Sequence, residues 1–419
     1  MTARSSGTQS QFPADFLWGT ATAAHQIEGN NVNSDCWVLE NVTPTIFREP
    51  SLDAANSLEL WPVDLDLVKS IGLKAYRFSL EWARIEPEPD RFSNAMLDHY
   101  KAIIEGCRAR GLVPIVTYNH FTVPKWFAAR GGWLNADAPD LFARFCERST
   151  RHFGDLISHA ITLNEPNIAL QLWATLPGLM ARLGPVLGPM NAAAAKAVGS
   201  EQFEAANLML LETAQATLPN MIAGHRAGRA AIKALQPSLP VGVSLAIADE
   251  QVGDCAEKRD AARETAYGAW LEAARGDDFV GVQNYGRNIW DAAGTRPVGS
   301  DAKTNDMGSE VHPPSLAGAV RYAHQASGCP VMVTEHGVGT HDDTIRAWLI
   351  PHALEGLKAV IDEGVPVLGY MHWSLLDNFE WIFGYEGQFG LCSFDRETFA
   401  RKPKPSAAVL GAIAQRNGL

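Results

Sequence analysis

Two short stretches carry the groups best suited to chemistry. Ile161–Asn167 reads ITLNEPN and Val331–Gly337 reads VMVTEHG. In each, an apolar, β-branched run leads into a glutamate and then meets a proline or a glycine. That is the pattern of a short buried strand with an acidic side chain at its C-terminal tip. Pro166 has no N–H to give to a ladder, so the first strand is expected to stop there, with Asn164 and Glu165 at its end. Glu335 stands at the tip of the second. Two carboxyls brought to the ends of parallel strands form the pair that cleaves a glycosidic bond. One protonates the leaving oxygen and the other attacks the anomeric carbon or activates water. Either stretch alone is equally compatible with a loop acid that does no chemistry; the rest of the chain decides.

The elements that would position these groups recur along the whole chain. Expected strands are Leu17–Ala24, Ala75–Ser79, Val113–His120, His159–Pro166, Val241–Ile247, Asp278–Tyr285, Val331–Gly337 and Val367–Leu375. Helical patterns lie between them, over Leu58–Ile71, Ser93–Arg110, Ala138–His152, Glu201–Leu235, Asp260–Arg275, Ser315–Ser327, Asp342–Glu363 and Ser406–Gln415. A strand–helix unit repeated eight times predicts an α/β fold, a single-domain (β/α)8 TIM barrel over residues 12–419. Two stretches, Leu176–Lys196 and Arg287–Pro314, are rich in proline or glycine and read as irregular loops on the strand-to-helix side. Nearly every strand ends in a polar or aromatic residue: His25, Gln26 and Glu28; Arg77; Asn119 and His120; Asn164 and Glu165; Gln283 and Tyr285; Glu335; Trp373, with Glu380 and Trp381 beyond. Barrels build their sites at that end.

Composition narrows the partners. The chain has 419 residues, 46% hydrophobic and 20% charged, with a net charge of −12. The acidic balance argues against nucleic acid and anionic membrane surfaces as partners. Twelve tryptophans supply flat apolar faces of the kind that pack on a pyranose ring. The opening segment, residues 1–11, is polar and is expected to be disordered; it has no apolar core of a signal peptide, and no run is long enough to cross a bilayer. The six cysteines lack CxxC spacing, which favours free buried thiols in a reducing cytoplasm over a zinc site or a disulfide frame. No cofactor and no metal are expected, and the oligomeric state is left open, a homo-oligomer included.

The motifs FLWGTATAAHQIEG, AYRFSLEWARIEP, TLNEP, VTEHG and WSLLDNFEW, between Phe12 and about Pro405, are similar in order and content to those of family 1 of the glycoside hydrolases. The resemblance implies a retaining β-glucosidase acting on small β-glucosides through two glutamates. Glu165 of TLNEP resembles the acid/base and Glu335 of VTEHG the nucleophile. Gln26, His120, Asn164, Glu380 and Trp381 match positions that hold the sugar hydroxyls. Trp373 matches the platform under the ring, and Arg77 and Tyr285 match the residues beside the nucleophile, Tyr285 also facing the substrate.

Elementary chemistry supports these roles. The nucleophile must be ionised, which a guanidinium and a phenol hydroxyl favour, and its charge raises the proton affinity of the acid. Several positions depart from the family pattern: Phe121, Asn167, Gln283-Asn284, His336 and Gln388. Asn167 stands where an aromatic shelf for the leaving group is common. With Leu176–Lys196 as an aliphatic wall, this implies broad tolerance for the leaving group. The alternatives are a transglycosylase, or a β-galactosidase or β-fucosidase of the same fold. A non-catalytic sugar-binding barrel is disfavoured by the presence of both glutamates. A phosphosugar hydrolase is disfavoured by a carboxylate at Glu380 with no cationic cluster, and a metal hydrolase by the lack of a ligand set at the strand ends.

Overall fold

The structure, a computed structural model, describes residues 11–207 and 209–419. Eight parallel strands pair in chain order and close into a barrel: β1 (Leu17–Ala21), β2 (Ala75–Ser79), β3 (Val113–Asn119), β4 (His159–Asn164), β5 (Val241–Ala246), β6 (Phe279–Asn284), β7 (Val331–His336) and β8 (Val367–Trp373), which returns to β1. The strands are buried on both faces, as expected when helices cover the outside and side chains fill the inside. Ala75, Ile115, Ile161, Phe279, Met332 and Met371 fill the interior. A larger apolar layer lies between the strands and the helices.

All eight strands fall within the stretches read from the sequence, and seven end one to three residues early. At the two strands that carry the glutamates, the ends coincide with breaks in register. β4 and β5 shift register between Ile161 and Asn164. β7 slips against β6 between Val333 and Glu335, and against β8 between Val333 and His336. Such irregularities re-aim side chains at the rim of a barrel. Here they fall at the strand ends that carry Glu165 and Glu335.

The helices Ser57–Ile71, Asn94–Ala109, Ala138–Phe153, Ser315–Ser327, Asp343–Asp362 and Pro405–Arg416 lie within two residues of expectation. Local signals set their ends. The Ser93 hydroxyl accepts from the Met96 N–H to cap the second of them. Gly72 ends the first with φ at 96°, a conformation that glycine adopts without strain.

Three expectations are corrected. Leu176–Lys196 is not irregular: Pro177–Val198 forms a helix, preceded by a shorter one at Ile168–Thr175. Pro177 starts it, where a missing N–H is harmless. Pro185 and Pro189 lie on its exposed side, so their lost hydrogen bonds face water, while Met180, Leu187, Met190 and Ala194 form a buried stripe at helical spacing. The helix expected over Glu201–Leu235 begins only at Leu211. The segment before it is drawn onto neighbouring loops by Glu204 N–H to Ala128 O (3.0 Å) and Ala206 N–H to the Asp35 carboxylate (3.2 Å). Arg287–Pro314 is partly ordered: Arg287–Asp291 pairs with Asp249–Val252 and Gly294–Thr295 in a small sheet over the barrel mouth.

The expected disordered segment over residues 1–11 lies, apart from Gln11, outside the described residues. Gln11 itself bridges to Gly418 beside the final helix. The cysteines are all free; five are buried and Cys255 is half-buried. Among the described residues, no helix is long and apolar enough to cross a membrane.

Candidate active site

The register shifts lift a ring of polar side chains above the apolar filling of the barrel. Glu335, on β7, sits at its centre and is almost fully buried. Arg77 Nη1 donates to Glu335 Oε1 at 2.6 Å, Gln283 Nε2 donates to the same oxygen at 2.9 Å, and the Tyr285 hydroxyl donates to Oε2 at 2.7 Å. Arg77 is itself wholly buried and also donates to Thr117 Oγ1 (3.0 Å), the Thr334 carbonyl (3.2 Å) and Asn164 Oδ1. A buried ion pair of this kind is neutral at best as a source of stability, yet removing one partner alone costs about 3–5 kcal/mol. Its use here is to hold one carboxylate in one place.

The hydrogen-bond directions around Arg77 are chemically determined. Guanidinium only donates, so the Asn164 atom facing it is the carbonyl oxygen. Gln283 must then turn its NH2 toward Asn164 Oδ1, at 2.6 Å, and toward Glu335. The NH2 of Asn164 faces His120 Nε2 at 3.2 Å. That nitrogen therefore accepts, and the imidazole proton sits on Nδ1, where the side chain is buried and without a partner. Burial and the nearby Arg77 hold the pKa of His120 well below the usual histidine range, so the ring is neutral. At the other side of the cleft, Gln26 Nε2 donates to the Phe379 carbonyl (2.8 Å), Asn378 Oδ1 (3.2 Å) and Glu380 Oε2 (3.2 Å), leaving Gln26 Oε1 buried and unpartnered.

Glu165 follows β4 with a positive φ of 43°, and its N–H is tied to the Ser244 carbonyl at 2.8 Å. Phe121 and Trp381 also have positive φ, 67° and 51°. Strained backbone of this kind is kept where the surrounding fold dictates it, commonly at sites. Among the described residues, no hydrogen bond reaches the Glu165 carboxyl. Burial pushes its pKa well up, and the charge of Glu335 adds to this. Burial also raises Glu335, but Arg77 and Tyr285 oppose it there. Of the two, Glu165 holds its proton more tightly.

Aromatic rings wall the cleft. His25, Trp381, His120 and Trp373 form a ladder of nearly parallel rings, with centroid spacings of 5.6, 6.3 and 5.5 Å and interplanar angles of 7°, 9° and 16°. Phe121 packs its edge on both His120 and Trp381. Gly337 follows the nucleophile position because a Cβ there would collide with the Trp373 carbonyl.

All ten residues expected at the site, Gln26, Arg77, His120, Asn164, Glu165, Tyr285, Glu335, Trp373, Glu380 and Trp381, lie at this end of the barrel. Gln283 was read from the sequence only as a polar strand end. The structure adds it as a second side chain, beside Arg77, that bridges Asn164 and Glu335, and its place two residues before Tyr285 on a strand tip is the available signal. Two readings change. Asn167 does not face the leaving-group side: it is buried, donating to the Ala246 carbonyl (2.8 Å) and the Ala266 carbonyl (3.2 Å) and accepting from the Ala246 N–H (3.0 Å). Glu380 is not a plain carboxylate: burial and the charge of Glu335 push its pKa up to about 8. Its charge is then largely absent at neutral pH, and disfavouring a phosphorylated sugar rests on the lack of a cationic cluster around it among the described residues.

A narrow crevice of about 10 Å³, room for a single water, lies beside Glu165, lined by Phe121, Ile168, Leu170, Met209 and Met221 together with Asn119, Asn164 and Thr217. The donor atoms of His25, Cys36 and Glu40 lie within 4.8 Å of one another. Sequence spacing gave no hint of this group. Its members are engaged with each other, His25 Nε2 with Glu40 Oε1 at 2.7 Å and Cys36 Sγ with the same oxygen at 3.5 Å.

The model of glycosyl hydrolase family 1 matches residues 8–217 and 250–419. The chain belongs to that family. Among solved structures, "beta-glycosidase BGL167" is 44% identical with a TM-score of 0.90, covering 97% of this chain and 98% of that one. "Beta-glucosidase 1317", in its apo form, is 40% identical with a TM-score of 0.91, covering 96% and 98%. Beta-glucosidase A of Thermotoga maritima is 28% identical over 469 aligned positions, 98% of this chain and 99% of that protein. The barrel and the two-glutamate mechanism are general features of this glycosyl hydrolase family.

Proposed function

We propose that this family 1 glycosyl hydrolase is a retaining β-glucosidase that releases the terminal β-D-glucosyl residue from small glucosides. Residues 12–419 act as one catalytic domain. The observation that carries the reading is the unequal treatment of two buried carboxyls. Glu335 receives a guanidinium, an amide and a phenol, whereas Glu165 receives none and is pushed up by burial and by Glu335. Retention needs one group ionised to attack and the other protonated to donate, about 5 Å apart.

Glu335 attacks the anomeric carbon while Glu165 protonates the leaving oxygen. The glycosyl–enzyme ester that forms has no charge on Glu335. With that charge removed, the proton affinity of Glu165 falls and it serves as the base that activates water. The unpartnered Gln26 Oε1 and His120 Nδ1–H supply an acceptor and a donor for sugar hydroxyls, with Glu380 beside Gln26 and the ring ladder as the apolar platform. Asn164 is set for the 2-hydroxyl, where contacts strengthen as positive charge develops on the ring. The half-exposed leucines near the start of the helix Pro177–Val198 offer aliphatic surface, which favours apolar or aryl leaving groups over long cello-oligosaccharides. Six free thiols favour a cytoplasmic location.

The test uses nitrophenyl β-glycosides in the presence of EDTA, followed by azide rescue. Glu335→Ala should be nearly inactive and yield an α-glycosyl azide. Glu165→Ala should retain activity on good leaving groups and yield the β-azide. Exchanged anomers would reverse the assignment, and no turnover by the wild type on any sugar of the panel would refute the function.

A further inference from the structure

Gln283 is buried to about 1% exposure at the end of β6, inside the barrel mouth. Both hydrogens of its amide are engaged, one by Asn164 Oδ1 at 2.6 Å and one by Glu335 Oε1 at 2.9 Å. Both partners present acceptors, so the NH2 end of the amide, and not its oxygen, faces them. Gln283 thus joins the carboxylate that attacks C1 to the amide that reaches the neighbouring hydroxyl. No other described side chain except Arg77 touches both. Arg77 supplies charge, but its guanidinium is rigid and already engaged by Thr117 and the Thr334 carbonyl as well. The glutamine is the neutral element of the pair. It closes a four-membered circuit, Arg77–Glu335–Gln283–Asn164, in which each acceptor oxygen, Glu335 Oε1 and Asn164 Oδ1, receives two donors.

We propose that Gln283 is a positioning residue of the reaction: its amide holds Glu335 ionised and aimed at C1 while locking the Asn164 amide in the orientation that serves the 2-hydroxyl. Two consequences follow from the geometry. A donor to a carboxylate favours the charged form, so losing it raises the pKa of Glu335 and moves the acidic limb of the activity profile to higher pH. Freeing Asn164 also weakens the contact to the 2-hydroxyl, so the loss should be larger on a glucoside than on its 2-deoxy analogue. A side chain that merely filled space would do neither. This inference rests on the glycosidase reading, and the experiment separates the two.

The experiment compares wild type, Gln283→Met and Gln283→Asn. Methionine matches glutamine in length and has no N–H; asparagine keeps the amide on a shorter arm. Folding is checked by thermal melting. The kcat/KM profile is recorded on nitrophenyl β-glucoside and on the 2-deoxy analogue, and infrared titration of the glutamate carboxylates reads the Glu335 midpoint without turnover. Gln283→Met should move the acidic limb and the infrared midpoint up by about one pH unit, the tenfold change in proton affinity that loss of one charge-assisted donor brings. It should lower kcat on the glucoside by ~10-fold or more, with less effect on the 2-deoxy substrate, and Gln283→Asn should fall between Met and wild type. A folded Gln283→Met with an unmoved midpoint, or with equal losses on the two substrates, would overturn the proposal. If Gln283→Met does not fold, Gln283→Asn carries the same two comparisons. An inactive wild type would refute the glycosidase reading instead, while the infrared midpoint would still judge the role of Gln283.

Discussion

Replacing Glu380 by glutamine gives the sharpest test of how the cleft recognises its sugar. Burial and the charge of Glu335 push the Glu380 pKa up to about 8, against the single amide donor from Gln26. With that midpoint, about a tenth of the carboxyls are ionised at pH 7 and about a hundredth at pH 6. Sugar hydroxyls that donate to the carboxylate must first displace its proton, a penalty of ~1.4 kcal/mol at pH 7 that grows by the same amount per unit below it. A charge-assisted bond contributes about 1.5–3 kcal/mol, so the net advantage of Glu over Gln is nearly cancelled in acid and fully present above the midpoint.

The ratio of kcat/KM, wild type over Glu380→Gln, should therefore be within about threefold of one at pH 6 and rise to about 10–100 near pH 9. The charge of Glu380 also acts on Glu165 and Glu335, so the limbs of each profile are fitted for each protein and the ratio is read from the pH-independent values and the pH dependence that remains. Stability should move the other way. A carboxyl held above its unfolded pKa adds stability that is fully present below the unfolded value and is gone once pH passes the folded one. Glu380→Gln should accordingly raise Tm at pH 9 and change it little at pH 4. A ratio that stays constant from acid to alkali would mean that Glu380 is ionised throughout and that the burial argument is wrong. A ratio of one throughout would remove Glu380 from the site.

Glu165→Gln should abolish the basic limb of the pH profile and leave the acidic limb; a basic limb that persists would identify another proton donor. Asn167→Ala removes three buried hydrogen bonds to the backbone of Ala246 and Ala266 and should lower stability by about 2–4 kcal/mol in urea titration while leaving leaving-group preference unchanged. A change in preference without loss of stability would return Asn167 to the leaving-group side. Burial disfavours a charged His25, but the charge and hydrogen bond of Glu40 outweigh it and raise its pKa, so Glu40→Gln should shift the His25 titration step, read by proton NMR of the imidazole, to lower pH and raise KM more than it lowers kcat. An unshifted step would disconnect Glu40 from the imidazole.

The sequence alone determined the eight strands, because runs such as VMVTEHG and ITLNEPN combine two-sided burial with a sharp stop, and both signals are local. It also determined which residues gather at one end: in a parallel barrel every strand runs the same way, so a polar residue at the C-terminal tip of one strand must join those of the others. Tertiary structure decided what needs neighbours. Pro177–Val198 reads as a loop by its prolines, and becomes a helix because those prolines face water while Met180, Leu187 and Met190 are buried. Asn167 reads as a polar residue at the leaving-group side, and turns inward because its amide bonds to the backbone of Ala246 and Ala266, which lie far along the chain. Glu380 reads as a charge, and keeps its proton because burial and Glu335 act on it together. Gln283 reads as one polar strand end among several. Only the closing of the barrel sets its amide between Asn164 and Glu335, which come from two other strands.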